Sequence, residues 1–188
     1  MCGLSPDRTQ RAVRVIGGGV VIRVHIRLVT PLLVSWLVNS ASDIDIGEVH
    51  HVALVVADLY QSMRLYSETL GLTWAEPWNG PIPILVEGET HEPGITFTLS
   101  REGPPHLELI QSTAQGVWQE LAPFHHIGFW TNEIDETVRD MTSNSFTVEV
   151  MSPTSDFVYL RSPDGARIEL VNSRSQPDFA RWLGGGRL

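Results

Sequence analysis

Apolar residues crowd the stretch from Val49 to Val56 in the manner of a strand, and the period then changes. After Ala57-Asp58, residues Leu59, Met63, Tyr66 and Leu70 recur at helical spacing. Asp58 with Gln61 three residues on resembles a capping box, and Gly71 stands where a helix stops. The same succession returns 75 residues later. Phe124 to Thr131 reads as a strand, Asn132 as the N-cap, and Ile134, Val138 and Met141 as one helical face. Short extended segments follow each helix: Leu72 to Ala75, Ile95 to Leu99 and His106 to Gln111, then Thr147 to Val150, Phe157 to Arg161 and Ala166 to Val171. Ser162-Pro163-Asp164-Gly165 joins the last two, with proline and glycine where a type I turn prefers them, and predicts a hairpin.

Two stretches fall outside this repeat. Residues 76–94 carry several prolines and glycines and read as a long connection, an extended loop or a lid, with Trp74 and Trp78 beside it. Residues 1–45 hold a Gly17-Gly18-Gly19 break and an apolar run from Leu28 to Val38 that Pro31 interrupts. That run is too short to span a bilayer, and the stretch before it exceeds the usual n-region of a signal peptide. The expectation is an appendage packing as an extra strand, or a start site assigned upstream of the true one.

Composition narrows the function classes. With 188 residues and 42% hydrophobic content, the chain can bury a real core as one medium domain or two small modules. All 13 basic residues are arginine; five precede residue 46 beside three acids, so the remainder carries eight arginines against 19 acids. Such an acidic body argues against nucleic acid or an anionic membrane as partner. The single cysteine, Cys2, excludes an internal disulfide and a cysteine-based zinc site, and fits a cytoplasmic protein.

The chemistry sits in the repeated strands. His50-His51 and His125-His126 open the two copies, and HLELI and RIELV place Glu108 and Glu169 in later strands. Residues two apart on a strand share a face, so only one histidine of each pair is expected in the pocket, with the other pointing away. A carboxylate flanked by apolar residues and facing inward needs a partner or a metal. A His and a Glu from each copy, meeting about a pseudo-twofold axis, would give a divalent ion two imidazoles and two carboxylates. His106 shares the face of Glu108, whereas His25 and His91 fall outside the repeat and read as surface residues. Arg101 and Arg161 are candidates for an anionic substrate group, and Trp130 for a pocket wall.

The motifs HHVALVVADL with LYSETLGL, then HLELI, FHHIGFWTNEID and SPDGARIELV, together resemble the vicinal oxygen chelate superfamily over roughly residues 47–172. This superfamily includes glyoxalase I, methylmalonyl-CoA epimerase, extradiol dioxygenases, and fosfomycin-resistance and bleomycin-binding proteins. The resemblance implies an α+β fold of two tandem βαβββ modules forming a cupped mixed sheet around a metal site. The modules are expected at 46–122 and 123–175, between an N-terminal extension 1–45 and a C-terminal tail 176–188. It also implies metal ligands at His51, Glu108, His126 and Glu169, and a divalent cofactor (Zn, Ni, Co, Mn or Fe). The ligand His of each pair is chosen by the family's His-apolar-small-apolar pattern, here HVAL and HIGF.

The complete His/Glu/His/Glu set looks most like glyoxalase I. The spacing from Glu108 through a helix-like stretch, Thr113 to Leu121, to FHHIGF looks more like the epimerase. Both imply proton transfer next to a carbonyl, with Glu169 as the proton shuttle and Glu108 as second candidate, on a small carbonyl compound or thioester, by a homodimer. A ring-cleaving dioxygenase and a non-catalytic drug or metabolite binder are the alternatives.

Overall fold

The computed structural model describes residues 46–119 and 122–188. The expectations for residues 1–45, with His25, lie outside the described residues. Each repeat begins as its pattern predicts: β1 spans Val49–Val56 and α1 Leu59–Leu70; β7 spans Phe124–Thr131 and α2 Ile134–Ser143. Asp58 caps α1, its carboxylate accepting from the Gln61 amide at 2.8 Å, and Gly71 ends it with φ of 72°. Leu59 is buried beneath α1, but Leu70, expected on the same face, is 64% exposed. Asn132 is not the cap of α2. The helix starts one residue later, with Glu133 at the N-cap, and the Thr131 hydroxyl accepts from the Glu133 amide.

The later strands are β5 (Gly94–Leu99), β6 (His106–Gln111), β8 (Thr147–Met151), β9 (Phe157–Arg161) and β10 (Arg167–Asn172). The β9–β10 turn closes with the Gly165 amide donating to the Ser162 carbonyl at 2.9 Å. Leu72 to Ala75 makes only an isolated bridge between Trp74 and Ser100, and residues 113–119 form turns instead of a helix. The long connection is not an extended loop. It supplies β2 (Trp78–Pro81) and a hairpin of β3 (Ile84–Val86) and β4 (Glu89–His91). Glu87 and Gly88, both at positive φ, make the two-residue turn of that hairpin.

All ten strands join in one mixed sheet, ordered β2-β5-β6-β1-β7-β10-β9-β8-β3-β4. The first repeat contributes β2-β5-β6-β1 and the second its mirror, β7-β10-β9-β8, so the two copies meet along the antiparallel β1–β7 pair. Only two residues separate β2 from β3, which lie at opposite ends of this order apart from β4. Three Cα–Cα steps reach at most about 11 Å. Across a flat sheet the same strands would stand about 38 Å apart at the usual interstrand spacing. The sheet is therefore curled until its edges nearly meet.

The concave face holds the larger core: Ala53, Val55, Phe97, Leu99, Ile110 and Tyr159, with Trp118 and Trp182 packed in. On the convex face Ile134 and Met141 of α2 pack on Val158, Leu160 and Leu170. Residues beyond 175, read as a tail, form helix α3 (Gln176–Leu183) after a short 3₁₀ turn. Phe179 of α3 meets His50 and Trp130 at ring distances of 5.2 and 5.7 Å, and Trp182 meets Phe97 at 5.5 Å. Helix α3 thus seats its aromatic face in the cup. No helix among the described residues is long and apolar enough to cross a membrane.

Candidate metal centre

The strand register explains why four distant residues meet. Across β1 and β7, His51 faces Gly128 and Ala53 faces His126; in parallel pairs, Ala53 lies beside Glu108 of β6 and Gly128 beside Glu169 of β10. All point into the cup. His51 Nε2 lies 2.7 Å from His126 Nε2. Glu169 Oε2 lies 2.8 and 3.1 Å from these two nitrogens, and Glu108 Oε2 lies 3.5 and 3.4 Å from them. The donor atoms of His51, Glu108 and His126 all fall within 4.8 Å of one another, a group able to hold a metal ion. The glycine of the HIGF motif is what makes this approach feasible. A Cβ on Gly128 would lie 2.2 Å from His51 Cε1.

The site is almost wholly buried. His126 is fully buried, and His51, Glu108 and Glu169 are 3%, 8% and 8% exposed. Glu108 Oε2 has no hydrogen-bond partner, the one buried side-chain polar atom so placed among the described residues. A carboxylate oxygen left this way is costly unless a cation or proton joins it. The two carboxylates are accordingly driven apart. Burial pushes Glu108 up to about 7, with Glu169 adding to the rise. For Glu169 burial is outweighed by His126 and His51, which hold its carboxyl well below the usual range. Burial brings His126 down to about 4 against the pull of Glu169. His51 goes the other way: burial opposes its charge, but Glu108 and Glu169 prevail and raise it.

The expectation that His50 and His125 point away from the cup is overturned by the backbone. On β1 two residues, Val49 to His51, stand against one step on β7, Phe129 to Gly128, which leaves His50 as the extra residue of a bulge. At the symmetric place, Ala53 to Leu54 stands against His126 to Phe124, and His125 is the extra residue. Each bulge turns its histidine toward the site. His50 Nδ1 lies 2.8 Å from His51 Nδ1, and His125 Nδ1 lies 2.7 Å from His126 Nδ1. Both are buried, and burial together with the neighbouring histidine lowers each to about 3. The doubled histidine in both copies was the available signal for this arrangement.

The remaining candidates separate. His106 is buried and bonds through Nδ1 to the Ser100 carbonyl. His91 is exposed. Arg101 donates to the Trp74 and Leu183 carbonyls, tying α3 in place, and Arg161 pairs with Glu149 at 2.7 Å. Trp130 lies tilted against His50 with ring centres 4.2 Å apart, and Trp74 donates to the Met63 carbonyl of α1. Of two aromatics that the sequence did not single out, one touches the centre and the other supports it. The Tyr159 ring lies 4.9 Å from that of His126, and its hydroxyl accepts from Trp118 Nε1 at 3.3 Å.

Comparison with solved structures finds a variant of Streptomyces coelicolor methylmalonyl-CoA epimerase in complex with 2-nitronate-propionyl-CoA. It is 16% identical, over 68% of this chain and 95% of that one, with a TM-score of 0.49. A hypothetical protein from Bacillus halodurans C-125 also matches at 16% identity, over 67% and 94%, with a TM-score of 0.49. The trypanothione-dependent glyoxalase I of Leishmania major matches at 23% identity, over 71% and 92%, with a TM-score of 0.29. No curated protein matches the sequence. A family profile, by contrast, matches residues 50–156, which hold three of the four converging side chains and more than half of the chain. On that match the chain belongs to the glyoxalase/bleomycin resistance protein/dioxygenase superfamily.

Proposed function

We propose that this protein is a metal-dependent isomerase or lyase that moves a proton on carbon adjacent to a carbonyl, in the manner of glyoxalase I or methylmalonyl-CoA epimerase. The observation that carries this reading is the meeting of two imidazole nitrogens and two buried carboxylates, one of them with an unpartnered oxygen. The set suits a divalent ion by donor type, and buried charge of this kind requires compensation. His51, Glu108 and His126 would hold the ion, with Glu169 as fourth ligand. A bound ion would supply Lewis acidity toward the substrate carbonyl oxygen.

The chain's own residues do the rest. Glu169, already in contact with both imidazoles, is the candidate to take the proton from the substrate carbon and return it; Glu108 is the second candidate. Tyr159, Phe97 and Trp118 exclude water, which strengthens every charge interaction in the cup. Substrate reaches this buried centre only if the α3 aromatics or the Trp118 segment move aside. The substrate class is a small carbonyl compound or thioester, the cellular setting cytoplasmic, and the assembly a homodimer in which each chain completes its own site.

Metal content by mass spectrometry on untagged wild type, His51→Ala and Glu169→Ala is the first test. About one divalent ion per chain, lost in both variants, is expected from a single N/O site. Exchange of a substrate α-proton with deuterated water, measured on hemithioacetals and acyl-CoA thioesters, then tests the chemistry. A protein that takes up no metal on reconstitution refutes the enzyme reading and leaves a small-molecule binder. One observation favours a second chemistry: His51, Glu108 and His126 alone form the two-His, one-carboxylate set of iron oxygenases. Iron-dependent O₂ uptake on a catechol would establish it.

A further inference from the structure

We infer that His125 is a positioning residue for His126, which it holds in the tautomer whose Nε2 is bare and aimed at the centre, under the control of the Val117 carbonyl. Two contacts define a hydrogen-bond chain. His125 Nε2 lies 2.8 Å from the Val117 carbonyl oxygen, and His125 Nδ1 lies 2.7 Å from His126 Nδ1. A carbonyl only accepts, so the proton of His125 must sit on Nε2. A neutral His125 then has a bare Nδ1, and the 2.7 Å contact is a hydrogen bond only if His126 Nδ1 carries the proton. A neutral His126 protonated at Nδ1 leaves Nε2 as a bare lone pair, which accepts from His51 Nε2 at 2.7 Å; with Glu108 Oε2 at 3.4 Å and Glu169 Oε2 at 3.1 Å it can share only a cation. Each link follows from the one before it, starting at a backbone oxygen 8 residues away in the chain.

The geometry that delivers this is built in. The bulge at His125 puts two consecutive side chains on one side of the sheet, which a regular strand forbids. The Val117 carbonyl is fixed in turn, because the Trp118 carbonyl accepts from the Thr113 amide at 3.0 Å and the Trp118 ring is anchored on Tyr159. The segment linking the two repeats therefore reaches into the centre through one imidazole. The symmetric bulge gives His50 the same place behind His51 through a 2.8 Å Nδ1–Nδ1 contact, with the rings of His106, Trp130 and Phe179 beside it. Among the described residues, only the His125 chain is tied to a carbonyl that dictates its direction.

The inference rests on the metal reading for one arm of its test only. Long-range ¹⁵N–¹H correlation on ring-labelled histidines of the full-length, chelator-treated protein at pH 7 reads the tautomers directly. The expected result is His126 protonated at Nδ1 and bare at Nε2, with His125 the reverse; His126 protonated at Nε2 overturns the inference. Zinc affinity, by competition with a chromophoric chelator, supplies the second arm. His125→Leu removes the acceptor and is expected to weaken zinc about 10- to 100-fold, the usual effect of losing a partner behind a ligand histidine. His125→Asn keeps an acceptor near the Nδ1 position and is expected to retain affinity within a few-fold. Equal loss in both folded variants assigns His125 a packing role and overturns the inference. Should the Leu variant not fold, the wild-type spectrum decides. The stated tautomers in a protein that binds no zinc would refute the metal reading and leave the hydrogen-bond chain standing.

Discussion

Gly128→Ala adds a single methyl group on the β1–β7 seam, directly opposite His51. Its Cβ would lie 2.2 Å from His51 Cε1, 2.4 Å from Nε2 and 2.7 Å from Nδ1. Non-bonded carbons need about 3.5 Å, so the ring would have to retreat by about 1.3 Å. It has nowhere to go: His50 stands 2.8 Å from one nitrogen, and His126 and Glu169 stand 2.7 and 2.8 Å from the other. Overpacking of this kind costs about 1–3 kcal/mol. A 1 Å displacement of a reacting group can cost about 100-fold, and a ligand nitrogen off its position should lose metal affinity on that order. Zinc titration against a competing chelator, paired with urea denaturation, measures both. Ala53→Gly, at the symmetric position opposite His126, is the control, expected to lose about 1 kcal/mol of stability and no zinc affinity. A Gly128→Ala protein that binds zinc within a few-fold of wild type would refute the claim that the bare glycine makes room for the ligand.

Further outcomes follow from the same geometry. Glu108 has its pKa raised in the folded state, so it binds its proton more tightly folded than unfolded, and its contribution to stability falls as pH rises from about 4.5 to about 7. In chelator, the melting temperature of Glu108→Gln relative to wild type should therefore climb across that window, and in saturating zinc wild type should be the more stable at pH 7. A flat difference in chelator would contradict the burial argument. Zinc binding at pH 7 should release about one proton or more, because His51 has its pKa raised and Glu108 is pushed up to about 7. Calorimetry in buffers of different ionisation enthalpy counts those protons, and none released would contradict it. Trp182→Ala should cost about 3–5 kcal/mol in urea denaturation, since this ring is 1% exposed and anchors α3 in the cup. Because all four donors belong to one chain, zinc affinity should not change on dilution, whatever the oligomeric state; an affinity that falls on dilution would place a ligand in a second chain.

Much of this molecule was legible without coordinates, for reasons of local physics. Runs of apolar, β-branched residues mark β1 and β7, helical spacing marks α1 and α2 because burial of one helix face imposes that period, and Asp58 and Gly71 mark the ends of α1 because they satisfy its terminal groups. The recurrence of a His strand and a Glu strand in both halves pointed to His51, Glu108, His126 and Glu169 as a set. What the tertiary structure decided is everything that depends on register or on long-range packing. Whether His50 and His125 face the cup turns on one extra residue in each of two strands, and a bulge is a property of a strand pair, not of either strand's own pattern. The 76–94 connection has too little periodicity to read as strands, yet it closes the sheet because β3 finds an edge on β8, far away in sequence. Helix α3 carries its aromatics at helical spacing, but only the curled sheet makes a cavity for them. The four residues that converge in the cup could be named from the chain alone. The hydrogen bond from the Val117 carbonyl through His125 to His126 could not, since a backbone oxygen has no letter in the sequence and only folding brings it there.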